Sequence, residues 1–198
     1  MTAETEHAID PDRLNGIIRF IQGAERLKST LRSGHTSQGR PESTAEHSWR
    51  LCLLAMLFDR ELGDCDRLKL IKMCIIHDLG EAISGDVPAI HQCADDGRAA
   101  REKADLMALC APLPDDLAAE IMALWTDYSQ GSSPEAILAK GFDKLETMMQ
   151  HNIGQNPPDF DYAFNLGYGV KQTARHPLLR QFRGIVDAQT RRNAEKQS

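Results

Sequence analysis

The sequence lacks an excess of positive charge. With 23 Lys and Arg against 29 Asp and Glu, its net charge is −6. No stretch forms the basic stripe by which nucleic-acid-binding domains neutralise phosphates. Paired cysteines are also missing. Five thiols stand at positions 52, 65, 74, 93 and 110, and without a C-x-x-C spacing they make neither a zinc ribbon nor a redox couple. An odd number of unpaired thiols fits a reducing cytosol. No apolar run is long enough to cross a bilayer, and the polar, acidic start MTAETEHAIDPDR is unlike a secretory signal. There are no internal repeats, no low-complexity linker and no convincing alternation at period two. The expectation is a cytoplasmic protein with neither a nucleic-acid nor a membrane partner.

What the sequence does have is helical periodicity. Its 198 residues, 41% hydrophobic and 26% charged, are expected to form one domain, with a core over about residues 12–193 and frayed ends. Leu14, Ile17, Ile18 and Ile21 fall at i, i+3, i+4, i+7, so a first helix runs from about Pro11 to Ala24. A polar loop, LRSGHTSQGRPES, follows. Ser43 and Glu46 then read as a capping box opening a second helix that reaches about Leu62. A third, nearly all apolar at its end, starts near Asp64 or Asp66 and stops just after His77-Asp78, with Gly80 as the residue past its C-terminus. Further helices are expected at about 95–110, 114–129, 133–152, 159–172 and 176–193, with prolines at the breaks. The fold class is all-α, a bundle of about seven or eight helices.

The stretch IIHDLGEAISGDVP places a histidine and three acids at the end of an apolar run. Neighbours on a helix point about 100° apart, so His77 and Asp78 reach one ion most easily where the helix is ending. His47, on the first turn of the second helix, is the obvious third donor, and Asp143 in LAKGFDKLETMM a fourth. Two imidazoles and two carboxylates suit one divalent transition metal (Mn, Co, Zn, Fe or Ni) better than Mg or Ca. Each residue taken singly also has a plainer reading. His47 would be a surface or capping side chain, and His77-Asp78 a charge pair at a helix end. Asp143 would sit on a solvated face with Ala139, Lys140, Thr147 and Gln150, leaving Phe142, Leu145 and Met149 as the buried stripe. Glu81 and Asp86 would solvate a turn.

Order and spacing together favour the site. A His, then His-Asp thirty residues on, then an Asp sixty-five further, resembles the HD-domain metal-dependent phosphohydrolases. The blocks RPESTAEHS, HDLGEAISGDVP and KGFDKLE resemble the 5′-deoxynucleotidase branch of that superfamily, over roughly residues 14 to 150. The resemblance implies metal ligands at His47, His77, Asp78 and Asp143. It implies catalytic acids at Glu81 and Asp86, a substrate contact at Arg32, and at Arg40 a side chain that either touches phosphate or only braces the loop. Glu81, one turn-length past the ligands, is the acid placed to protonate the leaving 5′-oxygen, directly or through a water. The family usually carries a tryptophan just after the first arginine. This chain reads Arg32-Ser33-Gly34-His35, so His35 stands near the expected place with a smaller stacking surface. The implied reaction converts a deoxyribonucleoside 5′-monophosphate and water to the deoxyribonucleoside and phosphate, and the implied assembly is a homodimer, for which an amphipathic late helix such as 176–193 offers a contact. The alternatives are an HD-type phosphohydrolase acting on a triphosphate or cyclic nucleotide, and a non-catalytic metal-binding HD regulatory module. Ala82 in place of an acid after Glu81 counts against alarmone hydrolysis.

Overall fold

The computed structural model describes residues 9–92 and 97–197. Its helices, in chain order, are α1 Pro11–Ala24, α2 Thr44–Leu57, α3 Arg67–Ile76, α4 Glu81–Ser84, α5 Arg98–Cys110, α6 Asp115–Gln130, α7 Pro134–Ile153, α8 Tyr162–Gly167, α9 Val170–Thr173 and α10 Pro177–Gln197. The all-α expectation holds, and α4 and α9 are single turns. The capping box also holds: the Ser43 hydroxyl accepts from the Glu46 amide, and Glu46 reaches back to the Ser43 amide. The side chains of Asp10, Asp66, Ser133 and Asp161 accept from first-turn amides of α1, α3, α7 and α8, each satisfying a donor the first helical turn leaves free.

Two apolar clusters organise the packing. One gathers Leu51 of α2, Leu70 and Met73 of α3, Phe142, Leu145 and Met148 of α7, and Leu179 of α10. The other gathers Phe20 of α1, Ile76 and Leu79 around the end of α3, Leu106 and Leu109 of α5, and Trp125 of α6. The His77-Asp78 turn therefore lies where the two clusters meet.

Several expectations need correction. The polar loop after α1 contains a two-stranded antiparallel ribbon, β1 Leu31–His35 and β2 Pro41–Ser43. It is closed by a turn in which Gly39 takes φ +82°, and a register irregularity between its pairs leaves no clean period-two pattern to read. Gly80 is not a left-handed cap; its φ is −59°. Glycine is required there for proximity, because a Cβ would lie 2.7 Å from the Glu102 carbonyl oxygen of α5. The helix expected at 159–172 is broken at Gly169, φ +67°. The C-terminal end is not frayed: Thr190 and Asn193 bond Asn152 at the end of α7, and α10 continues to Gln197. In α1 the helix is right but the buried face differs. Gly16 and Phe20 face inward, while Leu14, Ile18 and Ile21 are exposed. Residues 1–8, where most of the expected N-terminal fraying falls, and residues 95 and 96 at the expected start of α5 lie outside the described residues.

Candidate metal centre and cleft

The four expected ligands converge. His47 projects from the first turn of α2 and is fully buried. His77 is the C-terminal cap of α3, and Asp78 follows in the turn before α4. Because the helix ends at His77, the backbone turns and both side chains face the same point. Asp143 comes from the middle of α7, the most enclosed helix, and is buried, so the solvated-face reading is overturned. The two imidazole Nε2 atoms are 3.4 Å apart. Asp143 Oδ1 is 3.3 Å from His47 Nε2 and 4.0 Å from His77 Nε2. Asp78 Oδ2 is 3.0 Å from His77 Nε2 and 3.9 Å from His47 Nε2.

These spacings and donors fit a divalent ion. Bonds of about 2.1 Å to nitrogen and oxygen put neighbouring ligand atoms roughly 3.0–3.4 Å apart in octahedral or tetrahedral geometry, close to the shorter separations seen. The far nitrogens are committed. His77 Nδ1–H donates to the Cys74 carbonyl at 2.9 Å, and His47 Nδ1 is hydrogen-bonded to Glu146. Both Nε2 lone pairs are thereby aimed inward, the usual way an outer partner fixes a ligating histidine.

Glu146 lay within the KGFDKLE block, but no role was expected of it. It stands one helical turn after Asp143, and that i+3 spacing of two acids was the available signal. Arg50 Nε donates to its other oxygen at 2.5 Å. Glu42 lies beside the same ring, forming a cluster of Glu42, His47 and Glu146 atoms. We assign that cluster to support rather than to a second ion. The His47 nitrogen it would use already bonds Glu146, and Arg50 and Arg32 flank the two acids, Arg32 Nε at 3.7 Å from Glu42. Tyr128 and Lys144 were also missed. The Tyr128 hydroxyl donates to Asp143 Oδ2 at 2.9 Å, and Lys144 Nζ lies 2.9 Å from the same oxygen.

The centre forms the floor of a cleft of about 300 Å³, the low end of the usual range for small-molecule sites. Arg32, Glu81 and Asp86 line it with His77, Asp78 and Asp143. The β1 strand carries Arg32 in, where it donates to Thr147 Oγ1 at 3.0 Å and to Asp78 Oδ2 at 3.3 Å. The Thr44 hydroxyl donates to Glu81 Oε2 at 3.0 Å, and Glu81 is hydrogen-bonded to Asp86. His35 and Arg40 are not among the lining residues. His35 accepts from Gln150 at its carbonyl, and exposed Arg40 pairs with Glu46 of the capping box.

Burial and crowding set the charges. Burial, then the neighbouring charges of Asp78 and Asp86, push Glu81 up to about 9 against the pull of Arg32. Burial and Asp78 raise Asp86 as well. Burial and Glu146 raise Glu42 to about 6. Burial opposes the charged form of His47, as does Arg32, but Glu146 and Asp143 outweigh them and take it to about 9. Burial also opposes ionisation of Asp143; Lys144, His47 and His77 prevail and hold it well below the usual carboxylate range. An ion among the four donors would displace the His47 proton.

A family model for the HD domain matches residues 24–182, some four-fifths of the chain. The chain belongs to the HD-domain family. Among curated HD-domain proteins it is 30% identical over 179 residues to the 5′-deoxynucleotidase HDDC2 of Dictyostelium discoideum, covering 84% of this chain and 94% of that one. It is 29% identical over 136 residues to the human 5′-deoxynucleotidase HDDC2, covering 68% and 66%. Its fold is similar to the crystal structure of a predicted metal-dependent phosphohydrolase from Magnetospirillum magnetotacticum. That match has TM-score 0.77 and 28% identity and covers 92% of this chain and 97% of the other. No helix among the described residues is long and apolar enough to cross a membrane.

Proposed function

We propose that this HD-domain protein is a metal-dependent 5′-deoxynucleotidase, hydrolysing deoxyribonucleoside 5′-monophosphates to deoxyribonucleosides and phosphate. The observation that carries the reading is the convergence of His47, His77, Asp78 and Asp143 on one point of a cleft floor, with the Glu81 carboxyl on the adjoining wall. The 5′-deoxynucleotidases it resembles support the substrate class. His47, His77, Asp78 and Asp143 would hold one divalent transition metal, with Mn, Co, Zn, Fe and Ni all compatible with the donor set. When bound, such an ion supplies a Lewis acid that neutralises phosphoryl charge and favours ionisation of water.

The chain's own residues do the rest. Glu81, protonated in its buried setting, gives its proton to the leaving 5′-oxygen as the oxygen of water bonds to phosphorus and the phosphorus–oxygen bond breaks; the proton that the water loses passes to solvent and restores Glu81. Asp86, hydrogen-bonded to it, holds that proton in place until then. Thr44 fixes the rotamer of Glu81 from the opposite side. Arg32 braces Asp78 and presents positive charge to the cleft. Trp125, Phe164 and Tyr168 line the same cleft and offer aromatic surface to a base or sugar. The reading retains a cytoplasmic location and a homodimer; light scattering that finds a monomer would remove the latter. The test of function is a phosphate-release screen over nucleoside mono-, di- and triphosphates, ribo and deoxy, with Mn, Co, Zn and Mg each supplied. Release of pyrophosphate or triphosphate, or equal kcat/KM for deoxyadenylate and adenylate, would point to another branch of the family.

A further inference from the structure

Four basic side chains line the cleft: Arg32, Arg98, Lys140 and Lys144. Three are matched by acids. Arg32 Nη1 lies 3.3 Å from Asp78 and its Nε 3.7 Å from Glu42. Lys144 Nζ is 2.9 Å from Asp143, and Arg98 Nη1 is 3.6 Å from Glu102. Lys140 differs. Among the described residues no carboxylate lies within ion-pair distance of it, and its ammonium sits 4.5 Å over the centroid of the Tyr128 ring.

Position gives this cation meaning. Lys140 stands three residues before Asp143 on α7, hence on the same side of the helix. Tyr128 links the two, its hydroxyl bonded to Asp143 and its ring beneath the lysine. The same ring packs against His77 with centroids 5.2 Å apart. The ammonium is therefore one aromatic ring away from the four converging donors, half-buried, on a cleft wall. An ammonium has three N–H donors, and a π face attracts its charge without accepting those hydrogens as an anionic oxygen does.

We propose that Lys140 receives anionic oxygens of the substrate's phosphoryl group, as the cleft cation that no carboxylate pairs with among the described residues. The identity of the anion rests on the phosphohydrolase reading; the presence of an anion subsite at Lys140 does not.

The test uses the full chain loaded with metal and inorganic phosphate as probe, with Lys140→Met to keep the stem over Tyr128 and Lys140→Arg to restore a charge. Phosphate should raise the wild-type melting temperature in proportion to its binding. In Lys140→Met its dissociation constant, and KM for a nucleoside 5′-monophosphate, should rise about ten- to a hundredfold, the worth of a charge-assisted hydrogen bond. Metal content should be unchanged, and Lys140→Arg should recover part of both. Wild-type phosphate affinity and KM in Lys140→Met would overturn the proposal and leave the lysine as packing on Tyr128. If the wild-type protein hydrolyses no nucleotide, yet phosphate protects it from heat and Lys140→Met loses that protection, the subsite stands and the deoxynucleotidase reading fails.

Discussion

Glu81→Gln should make the enzyme slower and, without metal, more stable. The amide keeps the shape, accepts from Thr44 with its oxygen and donates to Asp86 with its nitrogen, so the local hydrogen bonds survive. Proton delivery does not, and general acid catalysis is typically worth about 10² to 10⁴ in rate; kcat should fall by that factor with metal content unchanged. The stability change follows from the raised pKa. Glu81 goes from an ordinary 4.5 to about 9 in the fold. A raised folded value gives stability that is complete below 4.5 and is lost as pH rises through 9. At pH 7 the fold must hold a proton that the unfolded chain has released, a penalty of about 3 kcal/mol by linkage. Glutamine removes it. Urea unfolding of chelator-treated protein should thus show Glu81→Gln more stable by up to about 3 kcal/mol at pH 7 and the two proteins converging toward pH 4.5. Near-wild-type turnover would remove Glu81 from catalysis. A metal-free variant less stable than wild type at pH 7 would refute the argument that burial and two acids hold its proton.

Asp143→Ala should lose metal, read by elemental analysis of protein purified without chelator. It also leaves half-buried Lys144 without its carboxylate partner and the Tyr128 hydroxyl without its acceptor, so the chelated variant should be about 1–3 kcal/mol less stable in urea. Full occupancy would exclude Asp143 as a ligand. Glu146→Gln should weaken metal binding about 10- to 100-fold. Competition with a chelator above pH 10 isolates this, because His47, held at about 9 partly by Glu146, has by then lost its proton in either protein. His151 is buried and hydrogen-bonded to Asn165, and burial lowers it from 6.5 to about 4. Its stability contribution is complete above 6.5 and is lost as pH falls through 4. His151→Gln should therefore lose about 3 kcal/mol less than wild type over that interval; parallel pH profiles would show that His151 is not the titrating group.

The sequence made the helices legible because apolar spacing, caps and breaks agreed with one another, as at Ser43 and Glu46. It also made four of the converging side chains legible, through order and spacing along the chain. What stayed hidden depends on three-dimensional surroundings. Asp143 looked solvated because Lys140, Thr147 and Gln150 share its side of α7. Those polar residues face a cleft and a buried polar network, with Thr147 on Arg32 and Gln150 on the His35 carbonyl, so polarity marked function where it usually marks water. The β-ribbon stayed hidden because its hydrogen bonds run between two short, irregular strands. Glu146 stayed hidden because its partners, His47 and Arg50, come from another helix about a hundred residues earlier.

The site's charge balance gives these particulars a common cause. Asp78, Glu81, Asp86 and Asp143 surround the ligand point, with Glu42 and Glu146 behind His47, while Arg32, Arg50 and Lys144 answer them. Acids outnumber the cations, and burial makes each uncompensated charge expensive. The protein settles the difference with protons, on Glu81, in part on Glu42, and on His47, whose ring would have to be neutral to hold a metal. A divalent cation held by His47, His77, Asp78 and Asp143 would supply the missing charge directly, and holding it would require His47 to give up its ring proton. An acid excess that the fold alone cannot neutralise thus links metal affinity, a proton poised for transfer and the placement of Glu146 behind His47.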